Sequence, residues 1–110
     1  MKGETISWTG TKTVVLGMGR SGQAAAEWLL AQKAEITMFD EGKSAVVKDL
    51  ARRWESRGVR AVTGVEKLPD AGFARAVLSP GIDPKRPVVL QLRSASVPMI
   101  GEFELGARAC

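Results

Sequence analysis

The feature that most constrains the fold of this sequence is a glycine-rich turn near its amino terminus. Residues 17–22 read GMGRSG and follow the apolar, β-branched run TVVL at residues 13–16. Such a run, ending in glycine, is typical of a strand buried on both faces of a parallel sheet. In a G-x-G-x-x-G turn the first glycine permits a tight turn, the second lets a ligand approach the backbone, and the third lets the next helix pack on the sheet. The turn therefore predicts a strand followed by a helix whose N-terminal N–H groups are free for a diphosphate.

The rest of the chain alternates predicted helices and strands. An amphipathic helix is predicted over residues 21–32, a second strand over 35–39, and a second helix that Ser44 caps and Gly58 ends. Strands follow over residues 59–63, 75–78 and 97–100, and Pro87 opens a third helix between the last two. Residues 64–72 are predicted to form a loop with one turn of helix, and a new element is predicted to start at Gly101.

This alternation predicts an α/β fold, a Rossmann-like five-stranded parallel sheet of order 3-2-1-4-5 with helices on both faces. The chain has 110 residues, 45% of them hydrophobic, which is the size and composition of one domain spanning residues 1–110. Ligands of such sheets bind at the carboxyl ends of the strands, where the strand order reverses direction. The loops after Leu16 and Leu78 should therefore face each other across a crevice.

The loop after Leu78 reads SPGI at residues 79–82. Pro80 fixes the shape of the turn, and Gly81 can offer its N–H to a ligand without a side chain in the way. By composition alone, this loop is only a turn.

Three polar side chains lie near the predicted crevice. Asp40 ends the second strand, 18 residues after Gly22, where an acid accepts hydrogen bonds from a ribose or a base edge. The alternative is that Asp40 caps the turn that follows it. Arg20 and Ser21 start the first helix, where they can supplement the backbone donors to a diphosphate. The alternatives are solvent exposure for Arg20 and helix capping for Ser21.

The tripeptide GKS at residues 42–44 looks like the end of a phosphate-binding G-x-x-x-x-G-K-[ST] loop. The first glycine of that pattern would have to be residue 37, which is Thr37. A strand residue at this place cannot form the phosphate cradle. We therefore interpret Gly42 as a turn residue and Ser44 as a helix cap.

Two residue types that carry much of enzyme chemistry are nearly missing. Histidine is absent, and the single cysteine is the last residue, Cys110. A Ser-His-Asp triad, a Cys-His pair and an imidazole-ligated metal site cannot be built from this chain alone, so we predict no catalytic residue and no metal ligand. The sequence shows neither a signal-peptide pattern nor an apolar run of ~18 residues. We therefore predict a cytoplasmic protein without a membrane span.

The formal net charge of +4 raises the question of a nucleic-acid partner. The densest basic stretch, residues 48–60, is interrupted by Asp49 and Glu55 and has no alternating aromatic residues. A nucleic-acid surface should show a one-sided basic stripe or stacking aromatics. We interpret this stretch as a solvated helix face and predict no nucleic-acid binding.

Four ordered motifs together resemble the amino-terminal domain of the Mur ligase family over roughly residues 10–108. They read VVLGMGRSG at residues 14–22, ITMFD at 36–40, VLSPGI at 77–82 and VPMIGEFEL at 97–105. Within the family, the L-alanine-adding branch usually has a longer glycine loop and SSAI in place of SPGI. The pattern of this chain is therefore similar to the D-glutamate-adding branch.

The resemblance implies that this domain binds the UDP part of UDP-N-acetylmuramoyl-L-alanine. It also implies an ATP- and Mg-dependent peptide ligase as the parent enzyme, with central ATP-binding and carboxy-terminal domains that this chain does not include. The chain alone is then expected to be inactive and to bind no cofactor. The implied UDP-binding residues are Gly19, Arg20, Ser21, Gly22, Asp40, Glu41, Ser79, Pro80 and Gly81.

The sequence departs from the family pattern at several positions. Lys33 and Ser96 occupy places where the family commonly ends a helix with glycine, which predicts a cost of about 1 kcal/mol at a left-handed backbone position. Ala74 replaces a frequent aspartate before the fourth strand. Glu41 and Gly42 stand where the family often has a polar or basic pair. This departure concerns the implied uridine contacts more than the implied diphosphate contacts.

Two other classes of function stay open at this point. An NAD-binding module of a dehydrogenase or a regulatory sensor shares the glycine turn and the acid at the end of the second strand. A non-enzymatic interaction domain would instead be marked by an exposed self-association surface. The motifs at residues 79–82 and 101–105 favour the Mur ligase resemblance over the NAD module.

Overall fold

One parallel sheet runs through the computed structural model, which describes residues 7–101. Its strands are β1 (Lys12–Leu16), β2 (Glu35–Asp40), β3 (Arg60–Thr63), β4 (Arg75–Leu78) and β5 (Met99–Gly101). The helices are α1 (Arg20–Ala31), α2 (Ala45–Glu55) and α3 (Pro87–Ser94). The strand order is β3-β2-β1-β4-β5, and every neighbouring pair is parallel. The predicted fold class and strand order are confirmed.

The register brings the carboxyl ends of the three central strands to one edge of the sheet. Leu16, the last residue of β1, pairs with Phe39 of β2 on one side and with Leu78 of β4 on the other. The loops that follow these strands therefore start side by side. This edge is where a sheet of this topology binds its ligands.

Side chains that alternate along the strands supply the core on both sides of the sheet. Val15 packs on one side with residues of α1 and α2, including Leu29 and Trp54. Val14 and Leu16 pack on the other side with residues of α3 and of the segment before β4. Because both faces of β1 are covered, its residues 13–16 are all apolar or small and fully buried. Helices on both faces were expected, and both faces carry them.

The helix ends follow the predicted local chemistry. The Ser44 hydroxyl accepts a hydrogen bond from the Val47 N–H at 3.2 Å, so it caps α2. Gly58 follows α2 with φ of +89°, a value that glycine adopts without strain. The non-glycine residues Lys33 and Ser96 follow α1 and α3 with φ of 64° and 59°. The left-handed positions predicted from the sequence are therefore confirmed.

One predicted element is wrong. Residues 64–74 contain no turn of helix, because the backbone of Leu68 is bonded elsewhere. Its N–H donates to the Gln91 side chain at 2.9 Å, and its C=O accepts from the same side chain at 2.8 Å. Pro69 also disfavours a helical backbone at Leu68. The element predicted to follow Gly101 lies outside the described residues.

The basic stretch on and after α2 is tied to acids at the surface. Arg53 contacts Asp49 at 3.1 Å, and Arg57 contacts Glu27 at 2.7 Å. These side chains are between 45% and 72% exposed, as expected for a solvated helix face. Within residues 7–101, no helix is long and apolar enough to cross a bilayer.

Candidate functional site

The first helix begins with unused backbone donors. Gly19 is the N-cap of α1, and the first bond within the helix runs from the Gln23 N–H to the Gly19 C=O at 2.9 Å. The N–H groups of residues 20–22 therefore have no acceptor within the helix. No side chain caps this end, and the first turn of α1 carries no acidic residue. Such an end attracts an anion through its N–H groups and its helix dipole.

The three glycines of the turn differ in their surroundings. Gly17 has φ of +105°, and its N–H donates to the Phe39 C=O at 2.6 Å. A Cβ on Gly22 would lie 2.0 Å from the Gly17 carbonyl oxygen, whereas a Cβ on Gly19 would meet nothing within 4 Å. The predicted roles of Gly17 in the turn and of Gly22 in close packing are confirmed. The backbone at Gly19 is open to a ligand because no other part of the protein lies against it. The ligand contact itself stays a prediction.

Asp40 ties the two loops of this edge together. One carboxylate oxygen accepts from the Met18 N–H at 2.9 Å, and the other accepts from the Gly42 N–H at 2.8 Å. The second bond caps the turn after β2, so the alternative role predicted for Asp40 is confirmed. Asp40 therefore fixes the loops after β1 and β2 relative to each other, and a contact from Asp40 to a ligand stays a prediction.

A cleft of about 340 Å³ opens at the carboxyl edge of the sheet. Its walls come from the ends of β1 and β2 and from the loop between β4 and α3. The Ser79 hydroxyl donates to the Leu16 C=O at 3.1 Å and so holds this loop beside β1. The residues lining the cleft are Gly17, Phe39, Asp40, Glu41, Gly81, Ile82, Asp83 and Arg86.

The predicted site residues fall into three groups in the structure. Asp40, Glu41 and Gly81 line the cleft. The exposed residues Gly19, Arg20 and Ser21 stand at the start of α1, next to the turn that forms one wall. The others do not line the cleft: Gly22 is buried under the turn, and Ser79 and Pro80 form the loop that leads to Gly81.

Sequence reasoning missed Arg86. Its guanidinium donates to both oxygens of the Glu41 carboxylate, from Nε at 2.9 Å and from a terminal nitrogen. This hydrogen bonding, followed by the charge of Glu41, raises the pKa of Arg86 above its ordinary value. A signal was present, because Arg86 lies in the loop after β4, and every such loop reaches the ligand-binding edge.

The tripeptide at residues 42–44 does not form a phosphate loop. Thr37 lies inside β2, is buried, and pairs with Val14 and Arg60. Ser44 serves as the helix cap, as interpreted from the sequence. Within residues 7–101, no group of three or more His, Cys, Asp or Glu side chains is placed to hold a metal ion.

Comparison with known sequences gives a consistent result. Residues 11–101 match the family described as "Mur ligase MurD-like, N-terminal domain". UDP-N-acetylmuramoylalanine–D-glutamate ligase of Chlorobium luteolum is 38% identical over 103 residues, which are 92% of this chain. The enzyme of the same name from Frankia casuarinae is 35% identical over 104 residues, which are 94% of this chain. The chain spans 22% of the length of each of these relatives.

Comparison with solved structures supports the fold. The precorrin-2 dehydrogenase SirC superposes with a TM-score of 0.59 at 18% identity, covering 90% of this chain and 48% of that one. The 5-ketofructose reductase of Gluconobacter sp. strain CHM43 gives the same TM-score at 14% identity, covering 91% and 48%. Likeness at this level of identity shows a shared arrangement of strands and helices.

Proposed function

Because the chain belongs to the family of Mur ligase MurD-like N-terminal domains, we propose that it binds the UDP part of UDP-N-acetylmuramoyl-L-alanine. It does so for an ATP-dependent ligase that adds D-glutamate to this precursor of peptidoglycan. The names of the relatives support the reaction. The observation that carries the proposal is the uncapped N-terminus of α1 beside a cleft at the carboxyl edge of the sheet.

The diphosphate binds at the start of α1. The free N–H groups of residues 20–22 donate to its oxygens, and the helix dipole favours its negative charge. The guanidinium of Arg20 adds a charged donor at the exposed start of the helix. Gly19 has no side chain, so the phosphates reach the backbone there.

The uridine binds in the cleft. A volume of about 340 Å³ falls in the range of small-molecule pockets. Phe39 and Ile82 supply apolar lining, and Asp40 and Glu41 supply hydrogen-bond acceptors. Gly81, at the end of the loop that follows β4, lines the cleft from that side. We propose Asp40 and Glu41 as the uridine contacts that the family resemblance implies, with Phe39 and Ile82 as apolar lining that the structure adds.

The chemistry of the ligase takes place outside this chain. The resemblance assigns ATP and Mg²⁺ to a central domain, and D-glutamate to a position shared with a carboxy-terminal domain. The role of the present chain is to bind and orient the nucleotide end of the substrate. We therefore expect the 110-residue chain to turn over no ATP when substrate and D-glutamate are supplied, and Lys43→Ala to change nothing in that assay. The cytoplasm, where ATP is supplied, is the proposed location.

Titration calorimetry of the 110-residue chain tests the proposal. UDP and UDP-N-acetylmuramoyl-L-alanine should bind, and NAD should not. Gly19→Val should abolish UDP binding, because its side chain fills the space where the diphosphate meets the backbone. Gly72→Val is the matched control, since a Cβ at Gly72 also meets nothing within 4 Å and Gly72 precedes β4 at the opposite edge of the sheet.

Two results would overturn the proposal. The first is NAD binding in preference to UDP, which favours a dinucleotide module. The second is normal UDP binding by a folded Gly19→Val variant, which makes the glycine turn a structural feature only. Circular dichroism on the same samples shows that each variant is folded.

A further inference from the structure

A bridge of two side chains crosses the crevice at the carboxyl edge of the sheet. β1 lies between β2 and β4 in the sheet. Glu41 follows β2 directly, and Arg86 is the N-cap of α3, the helix after β4. The Arg86 guanidinium donates to both carboxylate oxygens of Glu41, and both residues line the cleft. The bridge therefore joins the two sides of the crevice across the end of β1.

The other charged residues of the cleft stay on their own side. Of the four charged residues that line it in the described part of the chain, only Glu41 and Arg86 contact each other across it. Asp40 accepts from N–H groups of the loops after β1 and β2, and Asp83 accepts from the Lys85 N–H at 2.8 Å within its own loop.

The bridge is made by side chains alone. Within residues 7–101, no other hydrogen bond or ion pair joins residues 41–44 to residues 80–86. The backbone of Arg86 has its own attachments, since its N–H donates to the Asp83 C=O at 3.0 Å and its C=O accepts from the Leu90 N–H at 3.1 Å. Rotation of the two side chains can therefore open the bridge without breaking a backbone hydrogen bond.

The closed form of the bridge is favoured only slightly over the open form. The side chains of Arg86 and Glu41 are 41% and 30% exposed, so water reaches both. Exposed ion pairs favour their closed form by a factor of only about 1.4 to 5. Both forms are therefore populated, and a ligand that binds one of them shifts the balance.

We propose that the Glu41–Arg86 bridge is a latch that closes the cleft of the ligand-free domain and opens to admit a nucleotide. This inference rests on the proposed function, and it concerns access to the site. A ligand that lies over the end of β1 takes the space in which the two side chains meet, so it binds only the open form. The apparent affinity is then the affinity of the open form multiplied by the fraction of molecules in that form.

Titration calorimetry with UDP, on the unchanged 110-residue chain and on the double variant Glu41→Gln/Arg86→Gln, measures the effect of the latch. The ion pair carries no net charge, and neither do two amides, so the net charge beside the diphosphate stays the same. A glutamine at residue 41 also keeps an oxygen that accepts hydrogen bonds. The double variant should bind UDP about two- to sixfold more tightly, because no ion pair holds its cleft closed.

The salt dependence separates a latch from a change in the lining of the cleft. Screening weakens the ion pair, so the advantage of the double variant should shrink as NaCl rises from about 0.05 to about 0.5 M. Salt also weakens contacts to the diphosphate, but that effect is common to both chains and cancels in the ratio of their affinities. A ratio that does not change with salt would mean that the amides bind UDP directly, which overturns the latch.

The matched control is the double variant Glu27→Gln/Arg57→Gln. Glu27 and Arg57 form the same two-donor contact, at 2.7 and 2.8 Å, and neither residue lines the cleft. This variant loses an equal pair of charges away from the cleft, so it should bind UDP as the unchanged chain does. An equal gain in affinity here would show a general effect of charge removal and would overturn the latch. Circular dichroism shows that each variant is folded.

NMR of the ligand-free chain detects the closed form directly. The Arg86 Nε–H donates to Glu41 at 2.9 Å, so this proton should exchange with water more slowly in the unchanged chain than in Glu41→Gln. Equal exchange rates in the two chains would show that the bridge does not close the free cleft.

The outcomes separate the latch from the proposed function. UDP binding by the folded double variant that is equal to or weaker than that of the unchanged chain overturns the latch and leaves the proposed function standing. If UDP binds to neither chain, the proposed function is wrong, and the latch, which then admits no nucleotide, is wrong with it.

Discussion

Gly22→Ala should destabilise the protein through one backbone contact. The added Cβ would lie 2.0 Å from the Gly17 carbonyl oxygen, about 1 Å inside the shortest separation that real Cβ atoms show. The obstacle is backbone, so α1 and the turn must move apart, which disturbs the packing of α1 residues such as Leu29 in the core. Overpacking of this kind destabilises a protein by about 3 kcal/mol at its upper end. The higher helix propensity of alanine relative to glycine offsets about 1 kcal/mol of this loss. The net loss is about 2 kcal/mol, which lowers Tm by roughly 10 °C for a domain of this size.

Thermal and urea unfolding, followed by circular dichroism, measure this loss. Gly19→Ala is the control, because its Cβ meets nothing within 4 Å and its backbone is extended. Alanine is a poorer N-cap than glycine, so this control should lose less than about 1 kcal/mol. A Gly22→Ala variant whose stability lies within about 0.5 kcal/mol of the parent chain, an ordinary surface-substitution effect, would refute the close approach of α1 to the turn.

Two further predictions concern stability. Lys33→Gly and Ser96→Gly should each raise the free energy of unfolding by about 1 kcal/mol, because both positions have left-handed backbone; urea unfolding measures this, and unchanged midpoints would contradict it. The Asp70 pKa is lowered by hydrogen bonding from Arg60 first, then by the charge of Arg60 and by Lys12. The ionised Asp70 carboxylate therefore contributes its full stabilisation at pH values above its pKa in the unfolded chain, about 3.9. This stabilisation is lost as the pH falls through the lower pKa that Asp70 has in the folded protein. Asp70→Asn should flatten the acid limb of the stability-pH curve, and an unchanged acid limb would contradict this assignment.

Local patterns in the sequence were sufficient to predict the sheet. Each feature that positions the sheet is formed by residues close together in the sequence. These features are the β-branched strand before the turn, the glycine turn that starts at Gly17, and the Ser44 cap. Once strands and helices alternate, the handedness of crossover connections leaves few possible strand orders. The ligand-binding edge follows from that order without knowledge of any side chain.

What could not be predicted depends on contacts between distant parts of the chain. The predicted helical turn before β4 fails because Gln91, on α3, bonds the backbone of Leu68. The pair of Glu41 and Arg86 joins residues 45 positions apart, and its geometry depends on the rotamers of both side chains. The predicted start of β5 at Val97 is wrong by two residues, because the strand begins at Met99.

Protein-observed NMR with UDP and with NAD tests the central claim most directly, because it reports both which ligand binds and where. On adding UDP to the 110-residue chain, the amide signals of residues 17–22, Asp40 and Gly81 should shift, and the signals of α3 beyond its first turn should stay in place. An equal concentration of NAD should shift none of them. Shifts at the glycine turn and at Asp40 with NAD, and none with UDP, would contradict the account and identify a dinucleotide-binding domain.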